Sequence, residues 1–189
     1  MQLTERAKEL ITKSRIVSFD NWKDVYSDET IAIFQAADDQ GRYLTDEDIE
    51  QIKTLEPEHN FSLEKVQLLR DEAPDIIAKA RQKVLDTFPN ITEPGGDLYP
   101  PARAEACWRD YWHFLRCISY GIAVNQTEYT SQKGLDNMQL LYQELRVPRE
   151  AMVLGLEQLK VFSLQKFSEE EQANLSPYFE YLISEMKQF

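Results

Sequence analysis

Residues 101–124, PARAEACWRDYWHFLRCISYGIAV, decide how the rest of the chain is read. Pro101 suits a first helical turn, where its missing N–H would have no partner in any case. From there Tyr111, Leu115, Ile118 and Ile122 recur at helical spacing and form one apolar stripe. A second seam, Cys107, Asp110, Phe114, Cys117 and Gly121, is also mostly apolar yet holds a carboxylate. A third row carries Arg109, His113, Arg116 and Tyr120. A helix that is apolar on two faces belongs at the centre of a bundle. Asp110 on such a helix needs a partner, because an unpaired buried carboxylate is costly. Arginines of the same chain are one solution. A bound ligand that donates N–H groups is the other. In that case Arg103 and Arg109 would hold its acidic groups, and Cys107 would be a nucleophile or covalent anchor, with the nearby cations favouring its thiolate.

Outward from this helix the apolar residues recur at helical spacing nearly everywhere, and strand signals are scarce. Leu3, Ala7, Leu10 and Ile11 predict a short amphipathic helix, followed by an aromatic-bearing connector through Trp22 and Tyr26. Residues 29–38 predict a second helix, stopped by Asp38-Asp39-Gln40-Gly41. Thr45 to Asp48 resembles a capping box opening a third helix that runs to about Leu55. Phe61, Leu63, Val66, Leu68 and Leu69 follow, and Pro74 is expected to open a fresh helix containing Ile76, Ile77, Ala80, Val84 and Leu85. Residues 89–101, with Pro94-Gly95-Gly96, form the clearest loop. Further helices are expected over about 130–145 and from Pro148. Ser168 and Glu171 form a capping box, and Ser176-Pro177 is expected to restart a last helix. The result is an all-α bundle of about eight helices, more globin-like than four-helix.

The 189 residues suit a single core. A formal net charge of −12 argues against nucleic acid and against an anionic membrane surface. No apolar run is long enough to span a bilayer, and the opening MQLTERAKELITKSR lacks the apolar centre of a secretory signal. The expected compartment is the cytoplasm. Cys107 and Cys117, ten helical residues apart, lie about 15 Å from each other, beyond disulfide reach. Two histidines, His59 and His113, and no Cys-x-x-Cys give zinc little support. Cys107 and His113 fall on different faces of the helix, so they make no protease pair, and an enzyme is not expected. A haem on His113 is a weak possibility, since a lone histidine on a core helix is more often structural.

The run PGGDLYPPARAEACWRDYWHFLRCISYG (residues 94–121) resembles the phycobiliprotein, or phycobilisome protein, family of globin-fold bilin carriers. The likeness continues through Gly134, LYQEL (141–145), Pro148, GLEQLK (155–160) and SPYFEYLISEM (176–186), and upstream through GRYLTDEDIEQIK (41–53). It implies a globin-like domain over residues 29–189 with a helical N-terminal extension over 1–28. It implies that Cys107 forms a thioether to ring A of a linear tetrapyrrole (a bilin such as phycocyanobilin), and that Asp110 accepts from the inner pyrrole nitrogens. Arg109 and Arg103 would meet the propionates, with Tyr142 in the pocket. Asp38 and Arg116 match residues that pair across the family's α/β contact, which implies a homodimer or heterodimer through that face. The expected partners are bilin-biosynthesis or phycobilisome proteins, with the chain phycobilisome-associated at the thylakoid surface.

Departures from the family pattern give the expectation its shape. Trp108 stands where a small aliphatic residue is usual and is expected to narrow the pocket. Asn125-Gln126 replaces Gly-Asp, Arg146 replaces a glycine, and Asp97 stands where asparagine is common. These point to an auxiliary protein of bilin biosynthesis, bilin handling or phycobilisome assembly and turnover, which holds the bilin transiently or carries none. The alternative is a light-harvesting subunit with a covalent bilin at Cys107. Residues 1–28 carry Leu3, Leu10, Ile11, Ile16, Val17, Phe19 and Trp22, too much apolar surface for an idle tail. They are expected to pack on the globin body or on a partner, and folding over the Asp38/Arg116 face would keep the protein out of antenna rings.

Overall fold

A computed structural model describes residues 3–189; Met1 and Gln2, which begin the opening stretch and the 1–28 extension, lie outside it. Among the described residues there are eight α-helices and no strand, the all-α, globin-like arrangement expected. They are α1 (Glu5–Lys13), α2 (Asp28–Asp39), α3 (Asp46–Leu55), α4 (Leu63–Thr87), α5 (Pro101–Ala123), α6 (Gln132–Leu145), α7 (Arg149–Leu164) and α8 (Glu169–Lys187). None is long and apolar enough to cross a membrane.

Local chemistry explains most boundaries. Thr4, Ser27, Thr45, Ser131 and Ser168 each accept a backbone N–H of the first turn through the side-chain oxygen. Thr45 with Asp48 and Ser168 with Glu171 complete reciprocal capping boxes. The two expected breaks at proline are absent. Pro74 lies inside α4 and Pro177 inside α8. Both prolines face solvent, so the carbonyls they deprive of an N–H, those of Arg70 and Ala173, can turn to water. Burial of Ala73, Ile76, Leu175, Tyr178 and Phe179 on either side holds each helix together.

Helix α5 is central, as its two apolar faces require. It packs against α4, α7 and α8, and α4 packs in turn against α7. The stripe Tyr111, Leu115, Ile118 and Ile122 is buried. The Tyr111 hydroxyl donates to the carbonyl of Ala151 at 3.0 Å, and the ring lies against Gly155, where a Cβ would collide with it. Trp108 turns away from the second seam. It packs beside Tyr111 and under the guanidinium of Arg81 on α4, 5.2 Å from the ring centre.

The N-terminal segment packs on the body. Helix α1 lies along α6. Behind it Val17 pairs with Thr130 in an isolated antiparallel bridge, the Ser131 N–H donates to the Ile16 carbonyl (2.7 Å), and the Ser18 N–H donates to that of Tyr129 (2.9 Å). Trp22 is fully buried, edge-on to Phe19 and Phe34.

Candidate functional site

The second seam of α5 faces a cleft of about 640 Å³ between α5 and α6, closed on one side by the N-terminal segment. Cys107, Asp110, Phe114 and Cys117 line it from α5, with Arg103, Arg109 and His113 at its margins. Met138, Leu141, Tyr142 and Leu145 line it from α6, and Leu3, Ile11, Ser14, Arg15 and Ile16 from the N-terminal segment. All five residues singled out in the sequence, Cys107, Arg103, Arg109, Asp110 and Tyr142, therefore lie on one cleft. Trp108 does not line it, which corrects the expectation of a narrowed pocket: at its position on the helix the indole points toward α4.

The Asp110 carboxyl is the polar centre. Burial pushes it up to about 6, against the lowering influence of the Tyr142 hydroxyl, which donates to Oδ2 at 2.9 Å, and of the Arg109 charge. Because the folded state holds this proton more tightly than the unfolded chain, this group makes stability decline as pH rises from the ordinary carboxylate range through about 6. Tyr142→Phe removes the donor and leaves the carboxylate less satisfied. The carboxyl titration, followed by carbon NMR of labelled aspartate, is expected to move above 6, with a stability loss of about 1–2 kcal/mol at neutral pH. A titration that stays in place would show that Tyr142 does not hold the charged form.

Cys107 corrects a second expectation. Its thiol is pushed up to about 12, first by burial and then by the neighbouring Asp110 charge, with Arg103 opposing too weakly to favour a thiolate. Arg103 has other work: Nε donates to the Asp97 carbonyl, and Nη2 donates to the carbonyls of Leu145 and Arg146. Those bonds fasten the end of α6, where Arg146 takes a left-handed conformation (φ 52°). A residue other than glycine or asparagine adopts that conformation at a cost of about 1–2 kcal/mol, which accounts for the glycine usual at that place in the resembled pattern. Asn125, at the other departure from glycine, is also left-handed (φ 53°), a conformation asparagine tolerates. Arg109 is exposed and points a cation at the cleft margin. Burial and the charges of Arg116 and Arg109 push His113 down to about 4, so it is neutral near pH 7.

Asp38 and Arg116, expected to meet partners across a subunit contact, pair with each other inside one chain. Arg116 Nη1 lies 2.6 Å from Asp38 Oδ1, and the two residues are only 6% and 7% exposed. Arg15 closes over the same carboxylate and reaches Asp39 as well. The contribution of residues 3–16 to the cleft was not legible in the sequence. Their amphipathic spacing signals burial but nothing says against which surface.

A buried thiol, a carboxyl bound by a tyrosine and a marginal arginine thus share one apolar cleft of a globin-like bundle. The chain belongs to the phycobilisome protein family, whose model, described as "Phycobilisome protein", matches residues 32–186. It is similar to the allophycocyanin alpha-B chain of Cyanidium caldarium, 31% identical over 153 residues, covering 80% of this chain and 94% of that protein. Similar too are the allophycocyanin alpha-B chain of Cyanophora paradoxa (30% over 150 residues; 79% and 93%) and the allophycocyanin alpha chain 2 of Microchaete diplosiphon (27% over 151 residues; 80% and 94%).

Proposed function

We propose that this protein is a light-harvesting phycobilisome subunit that carries a linear tetrapyrrole, a bilin such as phycocyanobilin, attached through Cys107. The carrying observation is the convergence of Cys107, Asp110, Tyr142 and Arg109 on a cleft of about 640 Å³, within the size range that encloses small-molecule ligands and cofactors. The bilin supplies absorption of visible light. An Asp110 oxygen accepts pyrrole N–H groups, an anion at that point being worth more in an apolar site than in water. Arg109 pairs with a propionate, while Arg103 stays on its carbonyls and contributes positive charge at the margin. Cys107 would hold the bilin by a thioether to ring A, an addition of the thiol that would pass its proton to the ring system and need no oxidant. A thiol held near 12 does not ionise by itself, so a lyase that supplies the base fits the chemistry. No enzymatic activity of the chain itself is part of this reading.

Two observations favour this over the auxiliary role that the departures suggested. Nearly the whole length of several allophycocyanin alpha chains aligns with this chain, and Trp108 leaves the cleft free. The corresponding location is the phycobilisome at the thylakoid surface. Assembly, with a second copy or a related subunit, would use the face of Asp38 and Arg116, and Arg15 would have to yield its hold on Asp38 there.

Co-expression with bilin-making enzymes and a lyase tests the function. The expected product is coloured, keeps its pigment on denaturing gels, and loses that covalent colour in Cys107→Ala. A folded but colourless wild-type product would return the protein to the auxiliary reading.

A further inference from the structure

The segment ahead of the family-matched region is held in two different ways. From Ile16 onward it is part of the main core: Ile16, Val17 and Trp22 are buried there, and the backbone is bonded to residues 129–131. Helix α1 is not. Its buried face, Ala7 and Leu10, meets Leu141, with Leu3 and Leu145 at the edge, in a small cluster separate from the main core. Its other ties to α6 are Thr4 Oγ1 to Glu144 (2.8 Å) and Arg6 to Glu144 (3.9 Å), both at the exposed surface, where ion pairs hold weakly. Nine residues are too few for a helix to persist once undocked. Yet Leu3, Ile11, Ser14 and Arg15 form one wall of the cleft, and with that wall in place Cys107 is 4% exposed. The rest of the lining comes from α5 and α6, whose removal would mean unfolding the core, with Asp38 to Gly41, Leu98 and Val147 at its edges.

We propose that α1 is a hinged flap over the cleft, swinging about Ser14–Arg15 while Ile16 and the residues after it stay docked, and that this local opening admits molecules to Cys107. Elements with few buried contacts open at lower free energy than the core they rest on. The Arg15 ion pairs with Asp38 and Asp39 sit at the base of the flap and fix where the swing stops. The flap depends on the bilin reading only for what enters, because its test uses a thiol reagent and no pigment.

Cys107 labelling by a maleimide in the full-length chain, with Cys117→Ala to remove the other thiol, is compared with hydrogen exchange of α1 and α5 amides under the same conditions. The opening constant from labelling is expected to agree with that of α1 within about threefold and to exceed that of α5 by about a hundredfold or more. Agreement with α5 instead would overturn the flap, because Cys107 would then be reached only by core unfolding. Leu10→Asp is expected to speed labelling about tenfold or more while α5 protection holds; an unchanged rate also overturns the proposal. If that variant does not fold, the comparison in the unaltered segment decides alone. Labelling that follows α1 in a protein that never accepts pigment would leave the flap standing and remove the bilin.

Discussion

Replacing Asp38 with alanine is expected to destabilise the protein by about 3–5 kcal/mol, the range for stripping one partner from a buried ion pair. The reason is what remains. Arg116 is almost wholly enclosed; among the described residues its Nε has no hydrogen-bond partner, and beyond Asp38 its guanidinium donates to the Tyr120 hydroxyl alone, at 3.1 Å. Without the carboxylate a guanidinium that cannot lose its proton stays buried and uncompensated. Arg15 loses its main anchor in the same step. Urea unfolding checks the size. Pairing Asp38→Ala with Arg116→Met should recover a large part of the loss, because the stranded charge goes with the arginine. A single-variant loss below about 1 kcal/mol would show that the pair is as weak as a surface bridge.

Trp22→Ala is the second large effect, at about 3–5 kcal/mol. Trp22 has no exposed surface and stands edge-on between Phe19 and Phe34, with ring centres 4.9 and 5.0 Å away. Removing the indole leaves a cavity where the segment before α2 joins the core, and neither Phe34 nor Tyr26 is placed to fill it without leaving its own contacts. Urea unfolding with unchanged slope is the check. A loss under about 1 kcal/mol would mean that residues 16–28 rest on the body as lightly as α1 does.

What the sequence made legible follows from the range of the physics. Capping at Thr45 and Ser168 and the two apolar faces of α5 depend on residues within a few positions of one another, and they were read correctly. Pro74 and Pro177 were read as breaks because the local rule disfavours proline inside a helix. Whether the freed carbonyl meets water is a tertiary fact. Cys107, Asp110 and Tyr142 reach one cleft through helix spacing and a family motif, but the state of the thiol depends on burial, which no neighbour in sequence reports. The side on which Trp108 lies was, by contrast, legible: one position beyond Cys107 is about 100° away around a helix of 3.6 residues per turn, off the cleft seam.

The bonds between residues 16–18 and 129–131 also set an order of events at the ribosome. Ile16, Val17 and Ser18 leave the exit tunnel well ahead of Tyr129, Thr130 and Ser131, the partners of their backbone, which follow more than a hundred residues later. At about 5–20 residues per second, that interval lasts several seconds or more. Gly134, which lies so close to the Arg15 carbonyl that any Cβ would collide with it, comes later still. Residues 16–18 are thus made long before their seat exists. Ile16 and Val17 stay without that seat while the intervening helices are being synthesised, apolar residues for a chaperone to shelter.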